Sequence, residues 1–141
     1  MARILKYAVL SDEYFSKPTT SPISVMKTVR IYTGDDQQSH FGEIELLFGG
    51  DHAILTADSR PASEATFRCA PAGTVIDWHP APRRQYVVTL SGEWDIECGD
   101  GSVQCFKAGD VMLADDLTGQ GHIARVSGDE PHIFMTVPLA D

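Results

Sequence analysis

The sequence predicts an all-β fold, a two-sheet antiparallel sandwich or barrel with little helix, on three observations. Short apolar stretches of four to eight residues recur along the whole chain, punctuated by Gly, Pro and Asp. One segment, Glu93-Trp-Asp-Ile-Glu-Cys98, alternates charged and apolar residues strictly, so one face is wet and the other buried. Helix signals are almost absent: Ser11-Asp12-Glu13 is the sole start, and Pro18 stops it within about two turns.

Taken in order, strands are expected over Val25–Tyr32, Glu43–Phe48, His52–Ala57 and Ala65–Cys69. Further strands follow at Gln85–Leu90, Glu93–Cys98, Val103–Phe106, Val111–Ala114, His122–Val126 and His132–Pro138. Asp100-Gly101 predicts a tight two-residue turn joining Glu93–Cys98 to Val103–Phe106 in a hairpin. With Ser91-Gly92 turning before it and Lys107–Asp110 after it, the hairpins are expected to run on as a meander. The apolar face of that meander needs a second sheet to cover it. No linker or repeat divides the chain, so residues 1–141 read as one domain, with residues 1–22 as an N-terminal strand and connecting arm. Met1–Leu10 is strand-like and lacks a hairpin partner, and an unpaired edge of that kind invites a second copy, so a homodimer is expected.

Apolar residues at 43% and charged residues at 22% exclude wholesale disorder. The chain carries 11 basic and 20 acidic residues, a formal charge of −9, which argues against tracking of phosphates in nucleic acid and against adhesion to an anionic membrane. No basic-aromatic interleaving supports nucleic-acid binding either. No apolar run approaches the roughly 20 residues of a bilayer span, and Met1–Leu10 is too short and too charged for a signal peptide. Cys69, Cys98 and Cys105 form no CxxC and cannot all pair, and they read as small buried hydrophobes in a reducing compartment. The expected location is the cytoplasm.

Two histidines sit in spaced frames. In the first, Gly73, His79, Gln85 and Gly92 bracket Trp78-His-Pro-Ala-Pro-Arg-Arg-Gln85. In the second, Gly109 leads through Asp115-Asp-Leu-Thr-Gly-Gln-Gly to His122. At these residues the chain resembles the cupin superfamily, whose first motif runs Gly, five residues, His-x-His, three or four residues, Glu, six residues, Gly. Ala81 stands where that family has its second His, and Gln85 where it has Glu. The second motif fits Gly109 and His122 with Asp115 in place of Pro and two extra residues. Ile31-Tyr-Thr-Gly-Asp and Ser39-His-Phe-Gly-Glu43 also look like a small cupin group of mostly unassigned activity. The resemblance covers residues 66–137 and implies a jelly-roll barrel around a small-molecule pocket, with both motifs facing inward.

The resemblance also implies that His79, Gln85 and His122 occupy the positions where cupins hold Fe, Mn, Zn or Ni. A neutral amide for a carboxylate and a methyl at Ala81 leave that set incomplete, so the expectation is no cofactor or one weakly bound divalent ion. His40 is a candidate to complete the set or to touch substrate. Arg83 and Arg84 are candidates to fork onto an anion, one rather than both, because neighbours on an extended chain face opposite ways. Asp116 is a candidate to sit behind His122 and fix its tautomer, and Trp78 to wall the pocket. A Cys69–His nucleophile lacks any third orienting group.

Three functions share this pocket. The first is acid/base chemistry without oxidation, as an isomerase, cyclase or lyase, on a small anionic molecule. There His79 and His122 exchange protons, Gln85 holds an oxygen and Arg83 or Arg84 anchors the anion. The others are a barrel that binds a metabolite without converting it, and a metal-dependent dioxygenase using His79, Gln85 and His122.

Overall fold

The structure, a computed structural model, describes residues 24–141. The expectations for Met1–Leu10, for the Ser11–Glu13 helix start, for the arm through Pro22, and for pairing of two copies through Met1–Leu10 lie outside those residues. Ten strands form: β1 (Ser24–Thr33), β2 (Ser39–Phe48), β3 (Thr66–Ala70), β4 (Val75–His79) and β5 (Gln85–Ser91). They are followed by β6 (Glu93–Glu97), β7 (Val103–Lys107), β8 (Val111–Asp115), β9 (His122–Val126) and β10 (His132–Pro138). Among the described residues there is no helix, and so none long and apolar enough to cross a membrane.

Six strands form one sheet in the order β2-β1-β8-β5-β10-β3, and four form the other in the order β4-β9-β6-β7. The two-sheet all-β architecture is therefore as expected, with one departure from antiparallel pairing: β1 runs parallel to β8, Val29 opposite Met112 through Tyr32 opposite Asp115.

By internal contacts, residues 24–27 and Glu45–Ser59 belong to one unit, and Thr28–Ile44 with Arg60–Asp141 to another. In the first, Gly49 and Thr56 exchange two backbone hydrogen bonds in an isolated bridge. The strand expected over His52–Ala57 does not form. Residues 51–54 bend, and Ile54 is 81% exposed, so its apolar character reflects no buried face.

The second unit carries the core. Ile31, Val87, Ile96, Phe106 and Met112 are buried between the sheets, each contributing about 1.5–3 kcal/mol of transfer free energy. The alternation in β6 is realised: Ile96 and Cys98 are fully buried, and Trp94 packs against the cluster. β6 and β7 pair from Glu93–Lys107 to Glu97–Val103 as the predicted hairpin, but with a longer loop. The Cys98 amide donates to the Ser102 carbonyl and the Gly101 amide to the Cys98 carbonyl, a three-residue connection with Gly101 at φ 86°. Asp100 uses its carboxylate to accept the Ser102 amide and hydroxyl, which holds it below the usual carboxylate range.

The expected meander is also corrected. β5 and β8 pair with each other in the six-stranded sheet, while β6 and β7 belong to the four-stranded one. Ser91-Gly92 and Lys107–Asp110 are therefore crossings between sheets and not hairpin turns. Crossing lets one continuous segment build both walls of the core, which a flat meander would leave half exposed. β4 was missed from sequence altogether, because Asp77, His79 and Pro80 break its apolar run. Of the three cysteines, all free, Cys98 is buried as expected, whereas Cys69 and Cys105 are exposed because they fall on outward phases of short strands.

His132 is fully buried, packed against both Trp94 and Phe134 at centroid distances of 4.7 and 4.5 Å, with Nε2 3.0 Å from the Thr89 hydroxyl. Burial pushes its imidazole down from 6.5 to about 4. The unfolded chain therefore takes up a proton here between those values while the folded chain does not. Stability from this residue is complete above pH 6.5 and falls as the pH drops toward 4. Urea unfolding at pH 7.5 and 4.5 should show a loss of about 2 kcal/mol that is absent from His132→Phe, after subtraction of the acid loss common to both proteins. Equal acid losses in the two would show that His132 does not carry it.

Candidate functional site

A cavity of about 400 Å³ opens between the two sheets of the larger unit, near the lower end of the range for small-molecule pockets. The six-stranded sheet supplies Gln85, Val87, Phe134 and Thr136 to its wall, and the four-stranded sheet supplies His79, Trp94 and His122. Exposure grades along it: His122 and Thr136 are buried, His79 and Gln85 half-buried, and Glu64, Arg68 and Arg83 exposed at the rim.

β4 and β9 are antiparallel neighbours, and His79 pairs directly with His122. Strict alternation from Ile76, which lines the cavity, would turn Trp78 inward and His79 outward. The register shifts between Ile76 and His79, and that irregularity rotates His79 into the cavity. Trp78 is consequently turned out, 37% exposed, and does not line the cavity, contrary to its expected role. The two imidazoles meet with centroids 4.5 Å apart and planes inclined at 57°.

Each ring is fixed from behind. His79 Nδ1 lies 2.6 Å from the Asp77 carbonyl, which can only accept, so Nδ1 carries the proton. His122 Nδ1 lies 2.6 Å from Asp116 Oδ2, which also accepts the Ser39 hydroxyl at 2.7 Å. Asp116 is fully buried, and its backbone carbonyl accepts the Ala81 amide, tying the loop before β9 to the turn after β4. In both rings Nδ1 is occupied and Nε2 is the nitrogen left for a ligand.

Arg83 lines the cavity and pairs with Glu64 across its rim. Arg84 does not line it: from the bend before β5 it turns to Asp115 and Asp141, both at 3.3 Å. His40 is also elsewhere. Its Nε2 is 2.9 Å from the Asp36 carboxylate, in a shallow cleft with Tyr32 and Asp35, and its hydrogen bond holds Asp36 below the usual carboxylate range. Cys69 is exposed, on the opposite face of β3 from the cavity-lining Thr66 and Arg68. Arg68 was not anticipated, because its lining role depends on the β3–β10 register, which no local pattern shows.

The donors do not fit a resident divalent ion. Ala81, at the position of the family's second histidine, is a buried methyl, and Gln85 offers a neutral amide. Among the described residues no three His, Cys, Asp or Glu side chains converge as such a site requires.

No family model and no curated protein matches the chain. Solved structures do resemble it. A conserved protein with a double-stranded β-helix domain from Klebsiella pneumoniae subsp. pneumoniae is 25% identical, over 92% of this chain and 85% of its own, with a TM-score of 0.43. A cupin domain from Bordetella pertussis is 19% identical, over 60% of this chain and 100% of its own, with a TM-score of 0.44. A protein described as a predicted oxalate decarboxylase from Thermotoga maritima is 18% identical, over 79% of this chain and 92% of its own, with a TM-score of 0.42. These neighbours are cupin and double-stranded β-helix proteins, and no chemistry is carried over from them.

Gly121 precedes His122 with φ at 77°, and a Cβ there would overlap the His79 carbonyl and Pro80 nitrogen. Gly121→Ala should therefore part the two histidine strands and cost about 2 kcal/mol or more, read by urea unfolding together with loss of contacts between the two rings in NMR. Unchanged stability and ring contacts would show that β4 and β9 tolerate the separation.

Proposed function

We propose that the cavity carries out acid/base chemistry, without oxidation, on a small anionic molecule, as an isomerase or lyase of cupin type. The observation that supports this is the facing pair of imidazoles, both anchored at Nδ1 and both presenting Nε2, with a buried carboxylate behind only one of them. A fully buried carboxylate needs a compensating charge, and the side chains bonded to Asp116 are Ser39 and His122. Asp116 behind Nδ1 suits His122 to the role of proton donor at Nε2. His79, whose Nδ1–H is given to a neutral carbonyl, keeps the Nε2 lone pair for the role of proton acceptor.

The roles follow from that asymmetry. Nε2 of His79 accepts a proton from a carbon next to a carbonyl. Nε2–H of His122 donates to the oxygen or to the neighbouring carbon, and the Gln85 amide holds the oxygen as charge develops on it. The apolar wall of Val87 and Phe134 limits water around the intermediate.

Incubation in deuterium oxide with pyruvate and larger 2-oxo acids should show protein-dependent exchange of the C3 hydrogens by NMR. His79→Ala and His122→Ala should each slow it about 10²-fold, His79→Ala with little change in stability and His122→Ala with a loss of stability from the buried Asp116 it leaves behind. Exchange that survives both substitutions would overturn the reading. Binding of the same acids without any exchange would assign the barrel to ligand binding alone, and stoichiometric Zn, Fe, Mn or Ni in untagged protein would replace the acid/base reading with a metal-dependent one.

A further inference from the structure

We infer that Arg68 is the anion-binding residue of this cavity, holding one carboxylate of the ligand end-on through its two terminal nitrogens. The inference rests on the acid/base reading only in calling that ligand a substrate. β3 is the edge strand of the six-stranded sheet, and its pairing with β10 sets Thr66 opposite Thr136 and Arg68 opposite Phe134. Thr66, Arg68, Phe134 and Thr136 all line the cavity, while Phe67, between them in sequence, is 73% exposed on the other face.

The side chain of Arg68 leans from the rim toward the interior, where Nε donates to the hydroxyl of buried Thr136 at 3.2 Å. That bond uses the side edge of the guanidinium and leaves its end, the fork of two terminal nitrogens, for a ligand. Every other described arginine is already paired: Arg30 and Arg84 with Asp115, Arg60 with Asp141, Arg83 with Glu64 and Arg125 with Glu97. Among the described residues Arg68 is the arginine with no carboxylate partner. At the rim, Arg83 and Glu64 cancel, so the positive charge left unmatched there is that of Arg68.

One unmatched positive charge with one planar fork suits a singly charged, planar carboxylate. A phosphate monoester, with nearly two charges and a tetrahedral head, would meet too few donors beside Glu64. The ligand class is therefore a small monocarboxylate, its acid group at the Arg68–Thr136 end and its remainder extending between the sheets toward Gln85 and the histidines.

Calorimetric titration of the full chain with pyruvate and benzoate, against their methyl esters and inorganic phosphate, tests this. The acids should bind about tenfold or more tightly than the esters, and phosphate more weakly than the acids. Arg68→Met should weaken acid binding about tenfold and bring it near the ester value, with Arg68→Lys between the two. Arg125→Met removes the same charge from the opposite face of β9 and should leave affinity within twofold. Acid binding that Arg68→Met does not change, phosphate binding ahead of the acids, or no binding of either acid would each overturn the assignment. The two readings fail separately. Arg68-dependent binding by a protein that shows no deuterium exchange, or whose exchange survives His79→Ala and His122→Ala, sustains this inference while the acid/base reading falls. Exchange unaffected by Arg68→Met does the reverse.

Discussion

A carboxylate with no exposed surface has to find its donors inside the protein, and Asp116 recruits them from two other elements. The Ser39 hydroxyl comes from the start of β2 and the His122 imidazole from the start of β9, both onto the same oxygen. The Asp116 backbone adds a third tie through the Ala81 amide. Among the described residues Oδ1 has no hydrogen-bond partner, so losing either bond to Oδ2 would add to an acceptor already unmet at this depth, and these partners are constrained together. Fixing Asp116 fixes the ring plane of His122, and the β4–β9 pairing then places His79 against it. The geometry of the site is a consequence of partnering one oxygen of a buried carboxylate.

The aromatic stack behind the cavity performs a complementary task with no charge at all. Trp94, His132 and Phe134 lie nearly parallel, Trp94 and Phe134 at 5.7 Å, and they fill the space between β6 and β10. His132 is held neutral by the same burial that packs it, so it adds no field to a cavity whose sign is set at the rim. Three histidines thus sit within one core in different states: one backed by a carboxylate, one by a carbonyl, and one excluded from protonation near neutral pH.

Much of this was legible in the chain, and the rest was lost for identifiable reasons. Turn residues and short apolar runs predict most of the strands, because both signals are local. The spacing of Gly73, His79, Gln85 and Gly92 marks the residues that meet in the cavity, and Asp116 is recognisable as the acid next to His122. What fails is whatever depends on register. The β4 irregularity that exchanges Trp78 for His79 is a relation between two strands and leaves no trace in either. The sheet crossings at Ser91-Gly92 and Lys107–Asp110 use the same residue types as hairpin turns. β3 misleads outright: its apolar Phe67 and Cys69 face outward and its polar Thr66 and Arg68 face in, the reverse of the usual pattern.

That inversion bears on how a chain of net charge −9 can hold an anion at all. Long-range attraction works against it, so selectivity has to come from a local arrangement over distances shorter than the screening length, about 8 Å at physiological salt. Among the described residues, the structure meets this by pairing every arginine but one with an acid. Arg83 and Arg84 were the natural candidates from sequence because they adjoin the histidine motif, yet the fold sets each beside a carboxylate distant in sequence, Glu64 for one and Asp115 with Asp141 for the other. Arg68 escapes that fate because its neighbours across the β10 pairing are Phe134 and Thr136, which offer a ring and a hydroxyl but no charge. An edge strand with its polar face turned inward is thus what leaves a guanidinium free to recognise a ligand.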